Sequence, residues 1–176
     1  MNGLRRYAFV LSIYLNTRGF AFVLFEGPLA PVDWSVREMR GPRKHARCLA
    51  KIVTILDQYL PDVLVLQDTS AQGTPRARRI VKLNEAVAAL AEARGLPVYV
   101  YSRDKVLEAF ASFGVTNKQA LAEIIAKHIP AFERYVPPPR KPWKSEDARM
   151  GIFDAVALAL TFFKDGLDCN WTSRSP

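Results

Sequence analysis

The sequence predicts an α/β domain: a five-stranded mixed sheet, three antiparallel strands then two parallel ones, with helices on both faces. Three observations carry this. Residues 7–39 hold three runs rich in Val, Phe, Ile and Tyr, joined by turns too short for a crossover. Two later apolar runs, "DVLVLQD" (62–68) and "PVYVY" (97–101), each follow a helical pattern, as parallel strands require. The remainder is helical, and 49% of the 176 residues are hydrophobic, enough for one substantial core.

The elements follow in order. Residues 7–14 and 19–26 read as strands around the turn "NTRG", and 32–39 alternates apolar and polar like a strand with one solvated face. Residues 43–59 form a helix with Ala46, Leu49, Ile52, Val53 and Leu56 on one stripe. The run 62–68 lies between breakers and fits a strand buried on both faces. A helix over 76–94 turns Ile80, Leu83, Val87 and Leu90 inward and Arg78 and Lys82 outward, until Gly95 stops it.

After the fifth strand a short helix spans 103–112, and Asn117 caps a helix running to His128. The proline-rich "VPPPRKPWK" (136–144) is an exposed connector. Residues 145–164 form the last helix, with Ser145 as its cap and Glu146 and Asp147 in its first turn. One domain is expected over 1–165, followed by a flexible tail, 166–176.

Charge narrows the partner. The net charge of +8 points to a polyanion, most directly a nucleic acid. Eleven of the 25 basic residues fall in three acid-free blocks: "RGPRKHAR" (40–47), "RARRIVK" (76–82) and "PRKPWK" (139–144). The phosphate-binding candidates are Arg43, Lys44, Arg47, Arg78, Arg79, Lys82, Lys118, Arg140, Lys141 and Lys144. Trp143 either stacks on an exposed base or packs against its own domain. No apolar run is long enough for a membrane helix. Cys48 and Cys169 lack partners at metal spacing and read as free thiols, so the expected location is the cytoplasm.

The predicted sheet brings three places together at the strand ends: Tyr14 to Asn16, Gln67 with Asp68, and the last helix. On that helix Asp154 has Met150, Gly151, Ala157, Leu158 and Thr161 as its neighbours and so faces inward, where an ionised carboxylate needs a cation or hydrogen bonds. Asp147 lies on nearly the same stripe. A structural ion pair for Asp154 and a capping role for Asp147 are the alternative to a functional site.

These features together resemble the RuvC-like branch of the ribonuclease H-like superfamily, the Holliday-junction resolvases, over roughly residues 7–163. That family opens with a strand similar to "GIDPGTRGxG"; "SIYLNTRGFA" keeps Ile13 and the Thr17-Arg18-Gly19 turn. Its loop leading to a basic helix-opening residue resembles "GVTNKQALAEII", with Lys118 in that place. Its closing helix, similar to "DAADALAxAL", aligns Asp154 in "FDAVALAL" with the final aspartate.

The resemblance implies a ribonuclease H-like fold, a dimer, and a two-metal phosphodiesterase using Mg²⁺ or Mn²⁺ clamped by carboxylates. The departures bear on that chemistry. Tyr14 stands at the first metal-binding aspartate, Gln67 at the catalytic glutamate, and Gly151 at the other helix acid. A phenylalanine that some relatives insert into junctions has no counterpart in "QDTSAQGTP".

A neutral tyrosine is a poor ligand for Mg²⁺, so Tyr14 signals a lost metal site. Asp154, Asp68, Gln67 and Lys118 are the remaining catalytic candidates, and Asp154, Asp68 and Asn16 the candidate ligands of a weak metal site. Three readings follow. The chain is a nucleic-acid-binding domain, of branched or structured DNA, with an inactive nuclease site; or an endonuclease with rebuilt acids; or a protein-interaction module on the same fold.

Overall fold

The computed structural model describes residues 9–70 and 75–166. The expected tail, Cys169 and the first residues of the predicted opening strand lie outside them. The elements are β1 (Val10–Asn16), β2 (Gly19–Phe25), β3 (Pro31–Glu38), α1 (Lys44–Tyr59), β4 (Val63–Gln67), α2 (Pro75–Ala93), β5 (Val98–Tyr101), α3 (Arg103–Ala109), α4 (Lys118–His128) and α5 (Met150–Gly166). They form one five-stranded sheet in the order β3-β2-β1-β4-β5. The β1–β2–β3 meander is antiparallel, while β4 runs parallel to both β1 and β5.

Strand alternation divides the core in two. Leu11, Ile13, Leu64 and Leu66 point to one face and pack with Cys48, Ile52 and Leu56 of α1 and with Leu83 and Val87 of α2. Val10, Val63 and Val65 point to the other face and pack against α3, α4 and α5. Because both faces are covered, β1 and β4 can be apolar almost throughout. Helix α5 is buried nearly all round from Met150 to Phe163, which explains its continuous apolar sequence.

The β1–β2 turn is fixed by its own residues. Asn16 Oδ1 accepts hydrogen bonds from the backbone N–H groups of Arg18 (2.9 Å) and Gly19 (3.0 Å). Gly19 sits at φ +154°, and a Cβ there would lie 2.0 Å from the Arg37 carbonyl oxygen. Only glycine permits that approach between β2 and β3.

Three expectations change. The last helix begins at Met150, five residues later than expected, and Ser145 does not cap it. Asp147 instead accepts from the Arg149 backbone N–H (2.9 Å) and pairs with the Arg149 guanidinium (2.7 Å), making a turn before the helix. On α1 the buried stripe is Cys48, Ile52, Ile55 and Leu56, while Ala46 is exposed. A 3₁₀ segment, Pro130–Tyr135, follows α4; Phe132 and Tyr135 pack edge-on against Trp34 of β3 at 4.9 and 6.1 Å between ring centroids.

Candidate functional site

The C-terminal ends of β1 and β4, the start of α3, the start of α4 and the middle of α5 surround a cleft of about 390 Å³. Tyr14, Gln67, Asp68, Lys118 and Asp154, all predicted from the sequence, line it together. Each arrives by a local rule. Tyr14 and Gln67 directly follow the last pair between β1 and β4, Ile13 and Leu66, at the carboxyl ends of the strands where ligands of open α/β folds collect. Lys118 opens α4 immediately after its cap, where Asn117 Oδ1 accepts from the Ala120 N–H at 2.9 Å.

The centre of the site is a lysine between two acids. Lys118 Nζ lies 3.0 Å from Asp154 Oδ2 and 3.0 Å from Glu146 Oε1, and 5.4 Å from the centroid of the Tyr14 ring. The Asp154 side chain is only 11% exposed. Burial pushes its carboxyl up to about 6, against the opposing pull of Lys118. Burial pulls the Lys118 ammonium down, but the carboxylate of Asp154, with Tyr14 and Glu146, outweighs it and holds the group above its ordinary value. Burial first, and then the Asp154 charge, raises the Tyr14 phenol, so Tyr14 is neutral at pH 7.

The other candidates stand apart from this centre. Asp68 is exposed at the mouth of the cleft, and hydrogen bonds from Ser70 (backbone N–H at 3.0 Å) hold its carboxyl below the usual range. The Gln67 backbone carbonyl accepts from Asn84 Nδ2 at 2.9 Å. Asn16 lines a neighbouring cavity of about 130 Å³ with Gly151, Glu146 and Asp154, and its carbonyl oxygen is taken by the β1–β2 turn. Asp147 is turned toward Arg149, whose hydrogen bonds hold its carboxyl low.

This donor set does not fit a two-metal site. One buried carboxylate serves the cleft, its Oδ2 is paired with the Lys118 ammonium, and the described residues contain no group of three or more His, Cys, Asp or Glu placed to hold a metal. At Gly151 an added Cβ would meet Ala21 Cβ at 3.1 Å, so this helix position leaves little room for a side chain. Lys118 supplies the positive charge that Asp154 needs.

Two site residues were not read from the sequence. Glu146 was placed in a helix turn but belongs to the connector, and nothing in its spacing shows that it reaches Lys118. Arg103 lines the cleft and lowers the Asp154 carboxyl. Its position directly after β5, at the carboxyl ends of the strands, was a signal that could have found it.

Beside the cleft lies an open groove of about 1240 Å³. Arg40 and Lys44 from the first basic block line it together with Arg140, Lys141 and Lys144 from the third, with Lys118, and with the acids Glu38, Glu146 and Asp147. Lys44 Nζ donates to the Thr17 carbonyl, which holds it over the β1–β2 turn, and Arg47 Nη1 donates to the Arg40 carbonyl at 2.7 Å. Arg79 of the second block joins Arg43 and Lys44 around an adjoining pocket, while Arg78 and Lys82 are exposed on α2. The fold therefore gathers basic residues far apart in sequence next to the Lys118 cluster.

No family model matches the chain. The RuvC crossover junction endodeoxyribonucleases of Paenarthrobacter aurescens and Pseudarthrobacter chlorophenolicus are each 31% identical to it over 107 residues, 60% of this chain and 50% of theirs. The chain thus spans about half the length of the curated relatives it matches. Among solved structures, Thermus thermophilus RuvC in complex with a Holliday junction substrate superposes with a TM-score of 0.66 at 19% identity, covering 90% of this chain and 97% of that one. The yeast mitochondrial Holliday junction resolvase gives 0.65 at 14% identity, covering 93% and 80%. The chain has the ribonuclease H-like fold, and in sequence and architecture alike it resembles the RuvC-like branch of that superfamily.

Proposed function

We propose that this protein is a RuvC-like nucleic-acid-binding domain that recognises branched or structured DNA and has exchanged its metal-nuclease chemistry for an ammonium–carboxylate cluster. One observation carries the reading: Lys118 Nζ lies 3.0 Å from both Asp154 and Glu146 and lines a groove shared with residues of two basic blocks. The DNA part is supported by the likeness to Thermus thermophilus RuvC in complex with a Holliday junction substrate. Binding then rests on Lys and Arg displacing counterions from phosphates, a term that survives loss of catalysis. A two-fold dimer belongs to the proposal because a four-way junction is itself two-fold symmetric. So does the cytoplasmic location.

The rival endonuclease reading needs two rearrangements. Lys118 must leave Asp154, and Asn16 must release the N–H groups of Arg18 and Gly19. Only then could Asp154, Asp68, Gln67 and Asn16 face one Mg²⁺ or Mn²⁺. A titration of a labelled four-way junction and a matched linear duplex tests the proposal. At about 0.1 M salt the expected result is micromolar or tighter binding, favouring the junction and weakening steeply with salt. Absence of binding to either DNA at that salt overturns it and leaves the protein-interaction reading.

A further inference from the structure

We propose that Trp143 is a stacking platform for an unpaired nucleobase, so that the basic strap it sits on distinguishes branched or single-stranded DNA from intact duplex. This rests on the DNA-binding reading above and adds to it the feature that is recognised. Among the described residues Trp143 is the most exposed large apolar side chain, at 77%. It does not pack into its own domain, although a tryptophan in a loop ordinarily gains by doing so.

The strap around it is held in shape. Three consecutive prolines, 137–139, restrict the backbone, and the Pro137 carbonyl accepts from Gln119 Nε2 of α4 at 2.9 Å. The next residues close on themselves: Arg140 Nε donates to the Lys144 carbonyl at 2.7 Å, and the Lys144 N–H to the Lys141 carbonyl at 3.0 Å. The indole is thus presented on a turn that needs little further ordering, which favours binding.

Charge selects the occupant. Lys141 Nζ lies 5.7 Å from the indole centroid, and Arg140, Lys141 and Lys144 line the groove while the indole stands outside that lining. A strand whose phosphates run along these cations carries its bases past the ring. Stacking of a base on an aromatic side chain is sequence-tolerant but needs a free π-face. Bases inside a duplex are already stacked on both sides, whereas those at a branch point or in a single strand are available.

The test compares wild type, Trp143→Ala and Trp143→Phe on three probes at one salt concentration: a four-way junction, a single-stranded oligonucleotide and a linear duplex. Trp143→Ala is expected to weaken junction and single-strand binding about tenfold, equivalent to about 1.4 kcal/mol. It should leave the duplex and the salt dependence unchanged, and Trp143→Phe should restore most of the loss. A 2-aminopurine at the branch point should be quenched by wild type and not by Trp143→Ala. If wild type binds the junction and Trp143→Ala binds all three probes equally well, or loses all three in parallel, the stacking proposal fails alone. If wild type binds none of the probes, the DNA-binding reading fails with it.

Discussion

Replacing Lys118 by methionine separates the charge of the cluster from its volume. Lys118 Nζ sits 3.0 Å from Asp154 Oδ2, and the Asp154 side chain is 11% exposed. An ionised Asp154 left without its partner would cost about 3–5 kcal/mol, so the carboxyl takes up a proton instead. In the wild type it already titrates near 6, raised from an ordinary 3.8 by burial. Without the opposing pull of Lys118 it moves higher and stays neutral at pH 7.

The sign follows from linkage. A carboxyl with a raised folded pKa contributes stability that is complete below its unfolded value and is lost as pH rises through the folded one. In the wild type that loss ends near pH 6; in Lys118→Met it continues through pH 7. Each unit is about 1.4 kcal/mol, and the wild-type carboxyl, half protonated at about pH 6, still loses about 0.4 kcal/mol above it, so the stability gap between the two proteins widens by about 1 kcal/mol from pH 6 to 7. Between about pH 4 and 5 both proteins follow the same slope and the gap stays constant. The raised Lys118 ammonium titrates far above this window. Urea denaturation at pH 4.5, 6 and 7 would measure it, with the Lys118→Met/Asp154→Asn double variant as the control that removes the titrating group. A gap that does not change between pH 6 and 7, or a double variant with the same pH slope as the single one, refutes the assignment.

Other predictions follow from the groove and the scaffold. Lys141→Ala with Lys144→Ala should weaken junction and linear duplex alike and lower the salt slope by about 2, measured by anisotropy over a salt series. Gly19→Ala should cost about 3 kcal/mol or more in denaturant unfolding, because its Cβ would lie 2.0 Å from the Arg37 carbonyl oxygen. Ser102→Ala removes the α3 cap, whose Oγ accepts from the Lys105 N–H at 3.1 Å. It should cost about 1 kcal/mol, seen as a melting shift of about 2–4 °C.

The sheet was legible because its strands obey simple rules. Short turns force the meander, and apolar runs such as "DVLVLQD" belong to strands covered on both faces. The start of the last helix was not. "SEDARM" carries good capping residues, but Lys118 of α4 draws Glu146 away and Arg149 turns Asp147 outward, so helical geometry begins only at Met150. The first is a tertiary contact from another helix, which local propensity does not register, and the second is a contact two residues apart that competes with the helical turn.

At the site, the convergence of Tyr14, Gln67 and Asp154 was readable from strand ends and a helix face, while the place of Lys118 came only from the family resemblance. That Lys118 would neutralise Asp154 was not readable, because their 36-residue separation gives no periodic signal. Trp143 shows the reverse case. The sequence favoured packing against its own domain over stacking, and only the fold places the indole in solvent.

The most direct measurement incubates a labelled four-way junction and a linear duplex with Mg²⁺ or Mn²⁺, using wild type and Asp154→Asn side by side. The account predicts a junction that both proteins shift and neither cuts. Metal-dependent cleavage by wild type that disappears in Asp154→Asn would contradict it, and would mean that Lys118 gives way to a metal ion beside a working carboxylate.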